Sequence, residues 1–321
     1  DSSSKEGVIT LNSVEGCRVQ NLQIDGNKDI YSSSNNNGIH LNSSSNNTIT
    51  GNTCNNNARR GIYLDSSSNN NITGNTCNNI SGNGIHLDSS SNGNNITGNI
   101  CNNNTYTGIC LYSSSYNTIT GNICNNNGFQ GIHLYLSSNN AITGNTCNNN
   151  TRNGIDLNSS NNNTTTGNSC NNNNGTGIHL DSSSNGNNIT GNTCNNNNDT
   201  GICLYLSSNN AITGNTCNNN NTGIGLHLSS YNTTTGNNCS NNNNNGIYLF
   251  SSNNNTITGN SCIRGTGQTN DYTSDQYTIL LKDSGNNYNL ISSNNCMGKA
   301  VVIHGGIGNS AWGNKFDATN N

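Results

Sequence analysis

The apolar residues of this chain are sparse and recur at a fixed phase. In residues 61–79, Ile62 and Leu64 alternate with other side chains, Ile72 stands between polar residues, and Cys77 marks a third short segment. A period of two predicts β-strands, and the Ser, Asn and Gly residues between the strands are typical of turns. The pattern therefore predicts three short strands, joined by polar bends, in each coil of about 23 residues.

Ten cysteines mark the repeat at intervals of 22, 23 or 24 residues. The leucine of a Gly-Ile-x-Leu phrase precedes most of these cysteines by thirteen residues. No stretch has the length or the period of a helix, so successive strands have to stack directly on one another. We expect one inward column of the core to be formed by Cys54, Cys77, Cys101, Cys124, Cys147, Cys170, Cys194, Cys217, Cys239 and Cys262.

The same phase extends to both ends of the chain. Residues 1–37 fit one degenerate coil with Ile24 in the cysteine position, and residues 38–263 fit ten regular coils. Residues 264–277 form an inserted loop, and residues 278–321 fit two further coils. The prediction is one all-β domain over residues 1–321, a parallel β-helix solenoid of about 13 coils.

Composition alone would suggest a different class of protein. The chain is 28% hydrophobic and 7% charged, has no proline and is rich in Asn, Ser, Thr and Gly, which is typical of disordered tracts. However, the formal net charge is only −4 and the apolar residues stay in phase, so we favour an ordered repeat. The low number of basic residues argues against nucleic-acid binding.

The phrase G-I-x-L-x-S-S-x-N-N-x-I-T-G-N resembles the repeat of right-handed parallel β-helix proteins of the pectin-lyase-like group. Within that group the chain is most similar to NosD-like proteins of bacterial and archaeal surfaces and periplasms, strongly from Gly38 to Cys262 and weakly at both ends. The resemblance implies a right-handed parallel β-helix. It implies little about function, because this scaffold carries lyases, hydrolases, epimerases, adhesins and fibre proteins.

The cysteine column departs from the family pattern, which usually has Ile, Val or Leu at this position. The cysteines fit free buried thiols that act as small hydrophobes, disulfides between adjacent coils, or a thiolate metal column. We favour free thiols, since stacked parallel side chains suit neither a disulfide dihedral nor a tetrahedral metal. An internal asparagine ladder is expected at one bend, formed by Asn52, Asn75, Asn122, Asn145, Asn168, Asn192, Asn215, Asn237 and Asn260.

Functional chemistry is expected on the outward side of the Gly-Ile-x-Leu strands. The x position and the residue after the leucine form two columns that collect most of the His, Tyr and Asp residues. Such side chains on a polar sheet suit contact with a glycan or with a neighbouring copy of the chain. We predict a binding surface formed by His40, Tyr63, His86, Tyr112, His133, Tyr135, His179, Tyr205 and Tyr248.

A metal site is an alternative use of the same columns. Imidazole and thiolate groups on successive coils could bind copper or zinc, and the resemblance to NosD-like proteins, which are associated with copper-site maturation, implies copper as well. No coil supplies a complete ligand set by itself, so we expect no cofactor and favour the contact surface. The candidate metal ligands are His86, Cys110, His133, His179 and Cys203.

A polysaccharide lyase or hydrolase is the second alternative. Asp65 and Asp88 fall on adjacent coils, near Arg59 and Arg60, and paired carboxylates can act as acid and base. The outward columns repeat too evenly to form one differentiated cleft. The inserted loop carries two further carboxylates, Asp271 and Asp275, which we interpret as solvent-exposed.

The favoured function is therefore that of a structural or adhesive rod outside the cell or at its surface, with a periplasmic location as the alternative. Such a rod could assemble with itself into a filament, sheath or surface layer, or bind glycans through its outward columns. The sequence contains no apolar run that predicts membrane insertion.

Overall fold

Short β-strands form all the regular structure in the computed structural model, which describes residues 7–28, 36–263 and 276–316. None of these residues belongs to a helix that could cross a membrane. The chain divides into a first unit, residues 1–164, and a second unit, residues 165–321. The expectation of a single domain over residues 1–321 stays a prediction.

The strands of the first unit follow the repeat of the sequence. They are β1 (Ile9–Asn12), β2 (Arg18–Gln20), β3 (Gln23–Asp25), β4 (Ile39–Asn42), β5 (Thr48–Thr50), β6 (Thr53–Asn55), β7 (Arg60–Asp65), β8 (Asn71–Thr73), β9 (Asn83–Asp88), β10 (Asn95–Thr97), β11 (Ile109–Tyr112), β12 (Thr118–Thr120), β13 (Ile132–Tyr135), β14 (Ala141–Thr143) and β15 (Ile155–Asn158).

The strands of the second unit repeat the same order after β16 (Thr164–Thr166), which includes the last residue of the first unit. They are β17 (Ile178–Asp181), β18 (Asn188–Thr190), β19 (Thr200–Tyr205), β20 (Ala211–Thr213), β21 (Thr222–His227), β22 (Thr233–Thr235), β23 (Asn245–Phe250), β24 (Thr256–Thr258), β25 (Tyr277–Leu281), β26 (Leu290–Ser292), β27 (Val302–Ile303) and β28 (Ser310–Trp312).

Each unit stacks equivalent strands in parallel and in register. In the first unit one sheet contains β1, β4, β7, β9, β11, β13 and β15, and the other contains β2, β5, β8, β10, β12 and β14. In the second unit the corresponding sheets are β17, β19, β21, β23, β25 and β27, and β18, β20, β22, β24, β26 and β28. We call these the first and second sheets, and their members the first and second strands of each coil.

The prediction of an all-β parallel β-helix is confirmed. Register pairs join Ile62 to Ile85 and Leu64 to Leu87, so each apolar side chain lies on its own equivalent one coil away. Over the described residues, the first unit has seven first strands and the second unit six, which matches the thirteen predicted coils. Of the predicted inserted loop, residues 264–275, with Asp271 and Asp275, lie outside the described residues, and Tyr277 already belongs to β25.

The third strand of most coils is shorter than the first and second strands. It forms a ladder of three residue pairs only between β3 and β6, where Ile24 pairs with Cys54 as the sequence phase predicts. Elsewhere it is reduced to single bridges such as that between Thr76 and Ile100.

The core consists of four inward positions per coil. Ile62, Leu64, Ile72 and Cys77 are completely buried, and so are their equivalents in the coils from β4 to β26, whereas Ile303 and Phe316 of the last coil are 38% and 44% exposed. Burial of an aliphatic side chain of this size contributes about 1.5–3 kcal/mol. The cysteines fill the corner next to the glycine of Gly-Ile-x-Leu, where a Cβ on Gly61 would lie 2.8 Å from the Cβ of Cys77 and 2.6 Å from the carbonyl oxygen of Gly84.

The predicted asparagine ladder is confirmed, and Asn99 belongs to it as well. The Oδ1 atom of Asn75 accepts a hydrogen bond from the backbone N–H of Asn52 (2.9 Å) and another from its Nδ2 (3.0 Å). The Nδ2 atom of Asn75 donates to the carbonyl of Ile49 (2.9 Å) and to the Oδ1 of Asn99 (3.0 Å). Each side chain therefore satisfies polar groups of the coils on both sides of it.

Three more ladders line the bends of each unit. A second asparagine ladder precedes the second strand and contains Asn47, Asn70, Asn94, Asn117, Asn140 and Asn163 in the first unit and Asn187, Asn210, Asn232, Asn255 and Asn289 in the second. A serine ladder follows the first strand and contains Ser44, Ser67, Ser91, Ser114, Ser137 and Ser160, and then Ser184, Ser207, Ser229 and Ser252. A third asparagine ladder follows the cysteines and includes Asn104, Asn127 and Asn150, and then Asn173, Asn197, Asn220 and Asn242.

We predict that Asn122→Ala destabilises the fold strongly. The substitution removes the acceptor of the Asn99 backbone N–H (2.9 Å) and the donor to the carbonyl of Ile96 (2.9 Å). A buried polar group that loses its partner costs about 1–3 kcal/mol, so the free energy of unfolding should fall by about 3 kcal/mol or more in urea titrations. Thr118→Ala, on an exposed strand position, is the control and should change it by less than about 0.5 kcal/mol. Equal effects of the two substitutions would contradict this account of the ladder.

Candidate functional site

The outer face of the first sheet carries three side-chain columns in each unit. The middle column is the x position of Gly-Ile-x-Leu, the edge column is the residue after the leucine, and the flank column lies three residues before the middle column. In β9 these positions are His86, Asp88 and Asn83, in that order. Register pairing repeats all three columns from coil to coil, for example Tyr63 beside His86 and Asp65 beside Asp88.

The structure corrects one part of the predicted binding surface, because most of the middle column is covered. The His40 and Tyr63 rings stack at 4.7 Å, and the flank residue Arg60 places its Cζ 3.9 Å from the centre of the Tyr63 ring. His133, His179, Cys203 and Tyr248 are half-buried. The members that are only 5–8% exposed are His40, Tyr63, His86, Cys110 and Asp156.

The edge column is the open aromatic surface. In the first unit, Tyr112 is 44% exposed and stacks on Tyr135 with ring centres 5.0 Å apart and planes 25° apart. In the second unit, Tyr205 and Phe250 are 42% and 39% exposed and flank His227 in register. Of the predicted binding residues, Tyr112, Tyr135 and Tyr205 therefore reach solvent through this column.

Three exposed leucines extend the edge column and were not expected from the sequence. Leu136, Leu206 and Leu228 follow edge residues directly, are 42–47% exposed and have φ values of 49–51°. The serines at this position of other coils have the same left-handed backbone, for example Ser113 with a φ of 48°, so the conformation belongs to the repeat and the exposed leucine side chain is the difference. Most other coils have Ser at this position, as at Ser113. The replacement of that serine by leucine was therefore the signal in the sequence that could have revealed these exposed residues.

A hydrogen-bond network determines which ring nitrogen of neutral His86 carries the proton. The Oδ1 atom of Asn83 accepts the backbone N–H of Thr107 (3.0 Å), so its Nδ2 is the group that donates to His86 Nδ1 (2.8 Å). The ring proton of neutral His86 then lies on Nε2, 3.8 Å from Asp88 Oδ2. Burial lowers the pKa of His86, and the nearby His86 ring lowers the pKa of Asp88.

A second polar cluster surrounds Cys110 and His133. Burial raises the pKa of Cys110 to about 12, so this thiol stays protonated at neutral pH. Burial also lowers the pKa of His133, whose Nε2 lies 3.9 Å from Asp156 Oδ2. Asp156 in turn accepts a hydrogen bond from Gln130 Nε2 (2.9 Å).

The predicted metal ligands do not fit a copper or zinc ion. His86, Cys110 and His133 are neighbours in register, as are His179 and Cys203 in the second unit. Yet no group of three or more His, Cys, Asp or Glu side chains in the described part of the chain is arranged to hold a metal. In addition, His86 Nδ1 already accepts a hydrogen bond from Asn83.

The inward cysteine column is no better as a metal site. All ten of its members are 0–1% exposed, and all are free thiols. Burial raises the pKa of Cys124, Cys217 and Cys239 well above the ordinary value for a thiol. Cys124, Cys217 and Cys239 therefore pack as small neutral hydrophobes.

The carboxylates proposed for an enzyme are adjacent, but Asp88 is poorly suited to act as an acid. Asp65 and Asp88 pair in register, and Asp88 also accepts the backbone N–H of Ser89 (2.7 Å). Its lowered pKa keeps Asp88 ionised at neutral pH, so it cannot serve there as a general acid. Arg60 lies over Tyr63 rather than over either carboxylate.

We predict that almost all thiols of the native protein resist labelling. All fourteen cysteines are free, and only Cys17 and Cys203 are not buried. Titration with a thiol reagent that releases a chromophore should therefore count about two groups in the folded protein and fourteen in guanidinium. Cys203→Ser should lower the native count by one. A total below fourteen in unfolded, unreduced protein would reveal disulfides and contradict the free-thiol column.

We also predict that acidification weakens the fold before any carboxylate titrates. Burial lowers the pKa of His86, His133 and His227, so the unfolded chain binds protons more readily than the folded one. Stability is then complete above about pH 6.5 and falls as the pH drops below that value. The urea midpoint should decrease between pH 7 and pH 5.5, and the decrease should be smaller in His86→Gln. Parallel profiles for the two proteins would show that His86 does not contribute.

Comparison with solved structures shows a shared fold. The A-module of the mannuronan C-5 epimerase AlgE6 of Azotobacter vinelandii is similar with a TM-score of 0.69 at 12% identity, over 94% of this chain and 90% of that one. A double mutant of the periplasmic alginate epimerase AlgG gives 0.57 at 17% identity, over 93% and 73%. The A-module of the epimerase AlgE4 of Azotobacter vinelandii gives 0.51 at 13%, over 95% and 90%. At these identities the likeness concerns the fold alone.

Sequence comparison identifies the family. No curated protein sequence matches the chain. The family model described as "Periplasmic copper-binding protein (NosD)" matches residues 2–199, 146–269 and 184–321. These matches together span almost the whole sequence, and they agree with the β-helix described above. The chain belongs to the NosD family.

Proposed function

We propose that this protein is a periplasmic or extracellular β-helix scaffold that adheres to polysaccharide through its edge column. The observation that carries the proposal is the contrast between the columns of the outer face. The middle column is buried or half-buried, whereas Tyr112, Tyr205 and Phe250 stay 39–44% exposed in the edge column. The family description, which names the periplasm, supports the location.

Aromatic side chains at rung spacing suit an extended carbohydrate. The apolar face of a sugar ring packs on an aromatic ring, while amide and hydroxyl groups beside it bond to the sugar hydroxyls. In the first unit the Tyr112–Tyr135 stack has the edge residues Asp88 and Asn158 in the coils on either side. Several weak contacts along one chain add up to a useful affinity. The printed names of the structural neighbours, epimerases of mannuronan and alginate, support the same ligand class.

Self-association is a second candidate, favoured by the leucines of the second unit. Leu206 and Leu228 lie beside Tyr205 and His227 and are 44% and 42% exposed. Apolar side chains that remain open next to aromatic ones can pack against a second copy of the chain. Sedimentation over a hundredfold concentration range, with Leu206→Ser/Leu228→Ser as comparison, tests this candidate; a monomer at all concentrations excludes it.

We predict that Tyr112→Ala/Tyr135→Ala weakens polysaccharide binding. Each aromatic contact contributes about 0.5–1.5 kcal/mol, so loss of both should lower the affinity about tenfold or more. Affinity electrophoresis through gels that contain neutral or acidic polysaccharides measures the change. Tyr116→Ala is the matched control, because Tyr116 is also exposed (67%) but lies beyond the serine ladder. Wild-type protein that no polysaccharide retards, or a double variant that binds normally, would contradict the proposal.

A further inference from the structure

A recess interrupts the outer face of the second unit between β23 and β25. Its volume is about 240 Å³. Register pairs place Asn245 beside Tyr277 and Tyr248 beside Leu280, so the recess spans the flank and middle columns of two coils. Its lining residues are Asn244, Asn245, Tyr248, Tyr277, Leu280 and Lys282.

The recess has an apolar floor and a fixed aromatic wall. Leu280 is only 2% exposed and Tyr248 is half-buried. Lys299 Nζ lies 4.1 Å from the centre of the Tyr277 ring and donates a hydrogen bond to the carbonyl of Gln276 (2.8 Å). The ring of His304 meets Tyr277 edge-on at 5.9 Å. Tyr277 is thus held in place before any ligand arrives, which reduces the entropy cost of binding.

A buried polar atom in the lining lacks a partner. The Oδ1 atom of Asn245 has no hydrogen-bond partner, although the residue is only 8% exposed. Buried polar atoms of folded proteins are nearly always hydrogen-bonded. A hydroxyl group from a ligand in the recess would donate to this oxygen after a small rotation of the amide.

Two of the three described basic residues of the second unit lie at the recess. The described lysines and arginines of the second unit are Lys282, Lys299 and Lys315; the first of these lines the recess, and the second packs on its wall. Lys282 is exposed and makes no ion pair with any described residue. The neighbouring Asp283 does not line the recess, and its carboxylate accepts hydrogen bonds from the backbone N–H and the hydroxyl of Ser251 and from Asn286 Nδ2.

We infer that this recess binds one carboxylate-bearing sugar ring of an anionic polysaccharide. The ring face packs on Tyr248 and Tyr277, a hydroxyl donates to Asn245 Oδ1, and the carboxylate pairs with Lys282 Nζ. The volume is below the 300–1,000 Å³ of sites for larger ligands, which fits a single sugar unit. The inference rests on the proposed function, since the rest of the polysaccharide would continue along the edge column past Phe250.

Calorimetric titration with hexamers of mannuronate and of galacturonate, and with a neutral glucose hexamer, tests this inference. Lys282→Gln should weaken binding of an acidic hexamer about tenfold and leave the neutral hexamer unchanged. Lys315→Gln, which alters an exposed lysine outside the recess, is the matched control and should change neither. Raising the salt concentration from 50 to 200 mM should weaken binding of acidic hexamers to the wild type more than to Lys282→Gln. Unchanged thermal unfolding confirms that the variants fold.

The possible outcomes separate this inference from the proposed function. Equal binding of acidic and neutral hexamers, or an acidic affinity that Lys282→Gln does not change, overturns the recess as an anionic-sugar site. If Tyr112→Ala/Tyr135→Ala still weakens polysaccharide binding in that case, the proposed function stands without the recess. If wild-type protein binds no carbohydrate at all, both fail.

Discussion

The side-chain amides at the bends are the interaction on which this fold depends. A coil of about 23 residues must turn sharply several times, and each turn leaves backbone N–H and C=O groups that no strand ladder can pair. An asparagine such as Asn75 accepts a hydrogen bond from Asn52 in the preceding coil and donates one to Asn99 in the next. Since buried unpaired groups are costly, the ladders let a chain that is only 28% hydrophobic remain folded around a thin core.

The backbone architecture could be predicted because the apolar residues occupy the same positions in nearly every repeat. Ile62, Leu64, Ile72 and Cys77 recur together, and the only arrangement that buries all their equivalents is a parallel stack in register. The first asparagine ladder was predictable for the same reason. The serine ladder was missed because Ser67 lies in a run of three serines, and the sequence does not say which of the three points inward.

The candidate site was harder to predict, because the direction in which a side chain points does not determine how much of it is exposed to solvent. Tyr63 and His86 point outward as the alternation requires, yet Arg60 and Asn83 fold over them. Long flank side chains decide this coverage, and their conformations leave no periodic trace in the sequence. The recess beside Lys282 depends likewise on a local exception, the replacement of a polar middle residue by Leu280. Function in a repeat of this kind resides in departures from the consensus.

Stacking in register also affects how the length of such a chain can change during evolution. Each coil offers its neighbours the same donors and acceptors, so a whole coil can be added or removed without leaving a ladder unpaired. The segment from Gly84 recurs from Gly177, 93 residues and four coils later, as unequal recombination between repeats would produce. In the coil that contains β9, which has one extra residue, two residues instead of one separate the edge column from the serine ladder. These are Ser89 and Ser90, and both have a left-handed backbone conformation. The coil, rather than the residue, is thus the natural unit in which genes for such proteins can grow or shrink.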